Sequence, residues 1–341
     1  MKKKREDRHS RAASEPEQAV RGRERRWEGV VKEPGSDRAD KYAADVEKVL
    51  SRSQIKARNA KFLVNGKPCK ASRPLKAGEK LSIEWIEELS RALVPERIEL
   101  SILFENDRVF VVDKAQGMVT HPASGNWRGT LANAILGLEN ERSAQGGVRV
   151  SPDELEPLRG GIVHRLDKDT SGTIIVARDL EARDFLAAQF KARTVRKEYV
   201  AIVRGMPIEA RGRIQTLLAR DPKNRKKFAV SEVSGKLAAT EYRVIKSWRD
   251  EDGAQYAFVA LYPKTGRTHQ LRVHMAYAGC PILGDPIYGK KDALFPEATL
   301  MLHARRLKIT LPGKNEPSVF ISPLPDRFRK IFLNLRRGES V

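Results

Sequence analysis

The sequence predicts an α+β fold with a mostly antiparallel sheet, preceded by a small α/β domain. Three observations lead to this prediction. After residue 100, strand-like apolar runs recur without strict alternation with helices, which argues against a parallel α/β fold. Before residue 86, a shorter region combines helical apolar spacing with a hairpin signal. The length of 341 residues also exceeds that of a typical single domain.

Residues 1–34 are expected to form a disordered basic tail. They mix charges of both signs, as in KKKRE and RGRERR, and have almost no apolar periodicity. Such a segment buries too little apolar surface to offset the entropy of ordering. Non-specific RNA binding and plain solvation explain the tail equally well. No apolar stretch follows the basic first residues, so a secretory signal is not expected.

Residues 35–88 are predicted to form the small domain. Five apolar residues recur near helical spacing, namely Tyr42, Val46, Val49, Leu50 and Ile55. Ser51 and Ser53 offer N-caps for a second helix, and Asn65-Gly66 between two short apolar runs predicts a hairpin. The segment 37–85 has twelve Lys and Arg against six Asp and Glu, a net charge of +6.

Residues 89–99 are read as a linker to the larger domain, 100–335. Strands are expected there in RVFVVDK, GGIV, GTIIVA, KEYVAIV, TEYRVI and YAFVALY. A helix is predicted over 180–191, with Asp179 as its N-cap and with Leu180, Phe185, Leu186 and Phe190 on one face. A second helix is predicted over 268–278, ended by Gly279.

Composition limits the partners and the location of the protein. The net charge of +21 favours a polyanion, most often nucleic acid, although a solubilising surface has the same charge signature. The two cysteines, Cys69 and Cys280, are too few for a disulfide framework or a Cys-rich zinc site, and they favour the reducing cytoplasm. No run of eighteen apolar residues predicts a membrane span.

The stretch GGIVHRLDKDTSGTIIVARD (160–179) crowds reactive side chains between two apolar runs. A loop pinned between buried strands holds its side chains rigidly, and Gly172 is expected to allow a sharp turn into the next strand. The residues alone leave several interpretations open. Ser171 is a candidate nucleophile, but no G-x-S-x-G elbow surrounds it. An ordinary charged turn explains the same residues.

Two further site types fit the spacing poorly. A metal site would use His164 with Asp167, or His269 with His274, and neither pair has good coordinating spacing. A glycosidase would need two carboxylates on either side of the bond, for which Asp167 and Asp169 are badly placed.

The run HRLDKDTSG resembles the signature of the RluA-type RNA pseudouridine synthases. The similarity extends over residues 100–325 and continues in VVDKAQGMVTHP (111–122), GTLANAIL (129–136), KEYVAIVRG (197–205), RDPKNRKKFAV (220–230), TGRTHQLRVHMAYAGCPILGDPIYG (265–289) and LHARRL (302–307). The basic unit at 35–88 resembles an S4 domain, a small RNA-binding module. Together the two regions resemble the branch of the family that acts on ribosomal large-subunit RNA.

The resemblance implies a pseudouridine synthase catalytic domain, with Asp167 as the single catalytic carboxylate. Whether Asp167 adds to C1′ or removes the C2′ proton stays open. It also implies that Arg272 is the cation beside this carboxylate, since a nearby cation favours the ionised form. Tyr199 matches the active-site tyrosine of the family, which can stack on uracil and offer its phenolic oxygen to a proton transfer, although its place in an apolar strand also fits a core residue. Leu271 matches the apolar wall of the pocket.

The resemblance further implies how RNA is held. Arg165 matches the residue that fills the gap left when the target base is extruded. His164 is expected to support the loop rather than take part in the chemistry. A projecting basic hairpin is expected to clamp RNA through its phosphates, using Arg220, Lys223, Arg225, Lys226 and Lys227.

The predicted function is therefore the isomerisation of specific uridines in RNA to pseudouridine, without cofactor or metal. The expected partner is 23S-type ribosomal RNA or a ribosomal particle, with no membrane involved. A tRNA substrate and a non-catalytic RNA-binding ribosome-assembly factor remain as alternatives. The sequence departs from the family pattern at Asp113, where Asn is usual, and at Ala115, where Pro is usual. These changes concern the local turn geometry rather than the catalytic residues.

Overall fold

A computed structural model of the chain describes residues 22–32, 38–88, 93–123, 126–144, 160–224, 227–250 and 253–337. The chain divides into two compact units, 1–92 and 93–341, and each has its own hydrophobic core. The division falls within the predicted linker at 89–99. Within the described ranges, every helix is too short or too polar to cross a membrane.

The first unit contains a four-stranded antiparallel sheet in the order β1-β4-β2-β3. Its strands are β1 (Gly22–Val30), β2 (Lys61–Val64), β3 (Lys67–Cys69) and β4 (Lys80–Glu88). Its helices are α1 (Ala39–Lys41), which continues into a π-helical turn at Tyr42–Val46, and α2 (Arg52–Ala57). Phe62, Leu81 and Ile83 lie in the core that the sheet and helices enclose.

Two local predictions in the first unit are confirmed. Ser51 is the N-cap of α2: its side chain accepts a hydrogen bond from the Gln54 N–H, and the Gln54 side chain accepts one from the Ser51 N–H. Asn65 and Gly66 both have positive φ, +50° and +77°, and join β2 to β3 as a tight hairpin. This geometry is the one that an Asn-Gly turn favours.

The predicted tail is wrong for residues 22–30, which form β1. This strand pairs with β4 along its whole length, and Trp27 packs against the core of the unit. Charged side chains mark the outer face of the strand, where Arg26 lies 3.3 Å from Glu84. The charged residues of this segment suggested a solvated tail. Backbone hydrogen bonds to β4, a strand far along the chain, order the segment instead. The rest of the predicted tail before residue 22 lies outside the described residues.

The second unit is built on a ten-stranded sheet whose main path is β10-β9-β11-β12-β8-β13-β7-β6-β5, with β14 paired to β13. All described pairs are antiparallel except β7 with β13, so the predicted α+β class is confirmed. The strands are β5 (Ser101–Glu105), β6 (Val109–Lys114), β7 (Ser171–Ala177), β8 (Arg196–Arg204), β9 (Arg211–Arg220), β10 (Phe228–Ser231), β11 (Lys236–Arg249), β12 (Gln255–Pro263), β13 (Leu302–Thr310) and β14 (Pro317–Ile321).

In the described parts of this unit, four helices pack around the sheet: α3 (Leu131–Ala144), α4 (Leu180–Ala192), α5 (Gln270–Tyr277) and α6 (Asp326–Arg337). Asp179 caps α4 as predicted, accepting a hydrogen bond of 2.8 Å from the Ala182 N–H. The predicted apolar face is only half right. Leu186 and Phe190 pack inward in a row with Ala182, whereas Leu180 and Phe185 are exposed because they lie outside this i, i+4 row.

Three predictions near the site need correction. The α5 helix begins two residues later than predicted, after His269, although Gly279 follows its end as expected, with φ of +75°. GGIV forms only one bridge, from Ile162 to Val176, rather than a strand. Gly172 lies inside β7 instead of in a turn, and a Cβ added there would stand 2.3 Å from the Ala304 carbonyl oxygen.

Candidate active site

A cleft of about 1410 Å³ opens in the second unit beside the loop that precedes β7. Its walls also include the chain from the end of α4 into β8 and the segment that leads into α5. The structure thus brings together residues that lie far apart in the sequence, from Val163 to Arg306. Six residues singled out in the sequence line this cleft: His164, Arg165, Asp167, Tyr199, Leu271 and Arg272.

Lys114 fixes the backbone of the loop that carries Asp167. Its side chain is fully buried, and Nζ donates to the carbonyl oxygens of Ala115 and Met118 at 2.8 Å and of Lys168 at 3.2 Å. Burial lowers the pKa of Lys114 to about 8, although the negative charges of Asp169 and Asp167 act to raise it. Sequence reasoning placed Lys114 in a motif but gave it no role, because its carbonyl partners become visible only in the fold.

Asp167 faces two side chains from the α5 region. Its Oδ2 lies 3.8 Å from Nη1 of Arg272 and 4.0 Å from Nε2 of His269. The Asp167 side chain is 21% exposed, so it is open to the cleft on one side and enclosed on the other. A carboxylate in this position can reach a ligand in the cleft while a cation stands behind it.

Arg272 is held by Asp285, which sequence reasoning missed. Nε and Nη2 of Arg272 each donate to Asp285 at 2.7 Å, and the guanidinium lies 5.2 Å from the centre of the Tyr288 ring. Asp285 Oδ1 also accepts from the Ile287 and Tyr288 N–H groups. Burial acts to raise the pKa of Asp285, but the bonds and charge of Arg272 lower it overall. The direct ionic partner of Arg272 is therefore Asp285, with Asp167 farther away.

Tyr199 and Leu271 form apolar surface within the cleft. Tyr199 lies on β8 and packs between two buried clusters, while Leu271 is almost fully buried at the start of α5. Burial, followed by the negative charge of Asp167, raises the pKa of Tyr199. The side chain is therefore a neutral phenol near neutral pH, able to stack on a base and to donate a hydrogen bond.

The two residues before Leu166 have contrasting environments. His164 stacks on Phe190 at 4.6 Å, and its Nε2 accepts a hydrogen bond of 3.0 Å from the Ile175 N–H. Burial and the charge of Lys197 lower the pKa of His164 to about 3. The ring is thus neutral and ties the loop to β7. Arg165 is exposed at the cleft, where its guanidinium can reach a ligand.

The predicted basic hairpin corresponds to β9 and β10. At its tip, the Asp221 carboxylate accepts from the Lys223 and Asn224 N–H groups at 2.8 and 3.1 Å. At the last strand pair before the turn, the Arg220 guanidinium lies 5.4 Å from the centre of the Phe228 ring. Lys223 is exposed and Lys227 is partly buried, whereas Arg225 and Lys226 lie outside the described residues.

Across the described parts of the chain, no three His, Cys, Asp or Glu side chains cluster in a way that would hold a metal ion. The cleft is instead surrounded by cations. The residues that line it include nine Lys and Arg against three Asp and Glu. Such a cleft attracts anionic ligands and holds them near the Asp167 loop.

Comparisons with known proteins place the chain beside RNA pseudouridine synthases. Residues 108–277 match the model of a family described as RNA pseudouridylate synthase. The chain is 43% identical over 310 residues to ribosomal large subunit pseudouridine synthase D of Borreliella burgdorferi, covering 89% of this chain and 91% of the relative. It is 36% identical over 323 residues to a protein of the same name from Pseudomonas aeruginosa, covering 91% and 95%. Among solved structures, human RNA pseudouridylate synthase domain containing 4 aligns with a TM-score of 0.53 and 25% identity, over 69% of this chain and 93% of that one.

Proposed function

Because the chain belongs to the RNA pseudouridylate synthase family, we propose that it converts uridines of large-subunit ribosomal RNA to pseudouridine, with Asp167 as the catalytic carboxylate. The enzyme class follows from the family. The choice of RNA is supported by the names of two similar proteins, both ribosomal large subunit pseudouridine synthase D. The observation that carries the role of Asp167 is its position in the cleft, partly exposed and 3.8 Å from Arg272.

The chemistry needs one ionised carboxylate. The isomerisation breaks the C1′–N1 bond and joins C1′ to C5, while C5 loses a proton and N1 gains one. No water has to be activated, so no second carboxylate is required. Asp167 either adds to C1′ or removes the C2′ proton, and both routes require its negative form. Arg272 stabilises that form electrostatically, and Asp285 keeps Arg272 in place.

Tyr199, Leu271 and Arg165 are proposed to handle the extruded base. Extrusion from structured RNA costs a few kcal/mol, which contacts in the pocket must offset. The Tyr199 ring offers a stacking surface, and Leu271 supplies apolar contact in the same cleft. Arg165 is exposed at the cleft, and its planar guanidinium suits the gap in the stack because it can pair with bases and phosphates.

The remaining basic surface is proposed to bind the RNA backbone. In the cleft, nine cations face three carboxylates, and the β9–β10 hairpin adds Lys223 and Lys227. The first unit, with its short helices and its net charge of +6 over 37–85, is proposed to be an S4-like RNA-binding domain. The substrate is free ribosomal RNA or a ribosomal particle, and we propose a cytoplasmic location, which fits the two unpaired cysteines.

Substitution of Asp167 tests the proposal. Asp167→Asn keeps the size of the side chain but removes its charge, so we expect no conversion while RNA binding largely persists. Release of tritium from a transcript of large-subunit ribosomal RNA labelled at uridine C5 measures the reaction, since C5 loses its hydrogen. Asp184→Asn, at an exposed site on α4, is the matched control and should retain full activity. Conversion by Asp167→Asn at the wild-type rate would overturn the catalytic role, and conversion of a tRNA transcript alone would overturn the ribosomal substrate.

A further inference from the structure

His269 has an unusual backbone conformation in the cleft. It has φ of 55° and ψ of 15°, in the left-handed region that residues other than Gly seldom adopt. A strained residue persists only where its surroundings fix it, and such residues concentrate at functional sites. Its side chain is 16% exposed and lines the cleft beside Asp167.

The next residue, Gln270, holds this conformation in place. Its amide nitrogen donates to the Ala239 carbonyl and to Thr240 Oγ1, each at 3.0 Å. Its amide oxygen accepts from Thr265 Oγ1 at 2.6 Å and from the Arg267 N–H at 3.0 Å. The buried amide is thus fully bonded on both sides, and the chain at His269 cannot relax without breaking these bonds.

Tyr288 contacts Nδ1 of His269, the imidazole nitrogen that does not face Asp167. The Tyr288 hydroxyl accepts a hydrogen bond of 2.9 Å from the Phe228 N–H and lies 3.0 Å from Nδ1 of His269. The hydroxyl already accepts from a backbone N–H, and its own proton is available for donation to Nδ1. The neutral ring then carries its hydrogen on Nε2, the atom that faces Asp167 Oδ2 at 4.0 Å.

The charges around the ring are consistent with this neutral form. Burial lowers the pKa of His269, and the charges of Arg272 and Arg165 act in the same direction, whereas Asp167 and Asp285 act against them. The imidazole is therefore a neutral N–H donor near neutral pH rather than a second cation beside Arg272.

We propose that His269 is a positioning residue for Asp167, with its Nε2–H donating a hydrogen bond to Oδ2 that orients the carboxylate toward the bound nucleotide. The proposal rests on the proposed catalytic role of Asp167. The 4.0 Å separation is longer than a hydrogen bond, and a shift of about 1 Å in the carboxylate closes it when RNA fills the cleft. Arg272 stabilises the negative charge of Asp167, while His269 orients its carboxylate.

Three substitutions separate this role from its alternatives. His269→Gln places an amide nitrogen near the position of Nε2 and keeps a donor, so it should remain within about threefold of the wild-type rate. His269→Asn tolerates the left-handed backbone but is too short to reach Asp167. We expect it to lower the single-turnover rate constant about tenfold or more, in line with the loss of a hydrogen bond to a charged group. His269→Gly removes the side chain and the backbone strain together, and it should be as slow as His269→Asn.

The assay uses the full-length chain and the tritium-labelled transcript of large-subunit ribosomal RNA at saturating enzyme, with the dissociation constant measured in parallel. An active wild type and an inactive Asp167→Asn variant test the proposed function first. If both results are obtained, an unexpected rate in a His269 variant contradicts only the positioning role of His269. A slow Asn variant with a fast Gln variant supports the proposal. Wild-type rates in the Asn and Gly variants would overturn it. So would a Gln variant as slow as Asn, or weaker RNA binding with an unchanged rate, which would make His269 an RNA contact instead.

Discussion

The ion pair between Arg272 and Asp285 is the residue-level feature on which the position of Arg272 beside Asp167 depends. Both side chains are nearly fully buried, and the Asp285 side chain bonds both the guanidinium and two backbone N–H groups. Breaking a buried pair leaves an uncompensated charge and typically costs about 3–5 kcal/mol. The pair therefore supports both the stability of the second unit and the placement of Arg272 beside Asp167.

Asp285→Asn tests this double role. Loss of the negative charge should lower the free energy of unfolding and, in the enzyme that remains folded, lower the single-turnover rate about tenfold or more, because Arg272 is freed from its position. Asp292→Asn is the matched control. Asp292 is also buried, where it accepts from Tyr256 and from two backbone N–H groups, but it does not line the cleft. Urea unfolding and tritium release measure the two effects, and equal rates in the two variants would contradict the positioning role of Asp285.

The sequence could predict the residues that face the cleft but not the residues that hold them. Asp167, Tyr199, Leu271 and Arg272 each stand in a motif whose resemblance to a known family is specific. Asp285 lies in the matching run as well, yet nothing in its spacing from Arg272 indicates a bidentate pair. Such pairings depend on how α5 packs against the following loop, and this is a tertiary property.

At the scale of elements, β7 connects the loop that carries Asp167 directly to the sheet. Gly172 pairs with Ala304 of β13 in the parallel part of the sheet and has φ of 116°. A Cβ at this position would lie 2.3 Å from the Ala304 carbonyl oxygen, closer than real contacts allow. Because Gly172 has no side chain, β13 can pack directly against the end of the loop that carries Asp167.

Gly172→Ala should separate β7 from β13. The clash and the positive φ together should destabilise the protein by more than about 1 kcal/mol and slow the reaction, because the loop end moves. Gly313→Ala is the matched control, since Gly313 also has a positive φ of 74° but a Cβ there meets nothing within 4 Å. Thermal unfolding and the single-turnover rate measure the difference. Equal losses in the two variants would show that backbone strain alone, and not contact with β13, matters at Gly172.

The β9–β10 hairpin is the element proposed to bind RNA outside the cleft. Lys223→Ala and Lys227→Ala should each weaken binding without changing the rate at saturating enzyme, since phosphate contacts position RNA rather than react. Each lost phosphate contact should reduce the slope of log affinity against log salt concentration by about 0.7–0.9. Lys314→Ala, at an exposed turn between β13 and β14, is the control. Unchanged slopes in both hairpin variants would remove this element from the RNA interface.

Elements were predictable where local chemistry determines them. The Ser51 and Asp179 caps, the Asn65-Gly66 turn and the glycine after α5 follow from interactions within a few residues. The strand at 22–30 was not predictable in this way. Its charged residues are typical of a solvated segment. The backbone partners that order it belong to β4, where Trp27 pairs with Ile83, far along the chain.

At the scale of the whole molecule, histidine burial sets a limit on stability in mild acid. Burial lowers the pKa of His164 and His303 to about 3 and that of His274 to about 4. All three belong to the second unit and are neutral where they lie. In the unfolded chain they take up protons near the ordinary histidine pKa of about 6.5. The unfolded state therefore binds more protons than the folded state below this pH, and stability falls as the pH falls.

We expect the free energy of unfolding to decrease by about 1.4 kcal/mol per pH unit for each of these histidines once the pH is well below about 6.5. Urea unfolding between about pH 7 and pH 5, followed by circular dichroism, measures the slope before most carboxylates begin to titrate. His164→Gln removes one titrating group while its amide oxygen can still accept from the Ile175 N–H, so its slope should be smaller by one proton. A slope in His164→Gln equal to that of the wild type would mean that His164 is protonated in the folded enzyme. In that case it could not accept the hydrogen bond from the Ile175 N–H that ties the Asp167 loop to β7.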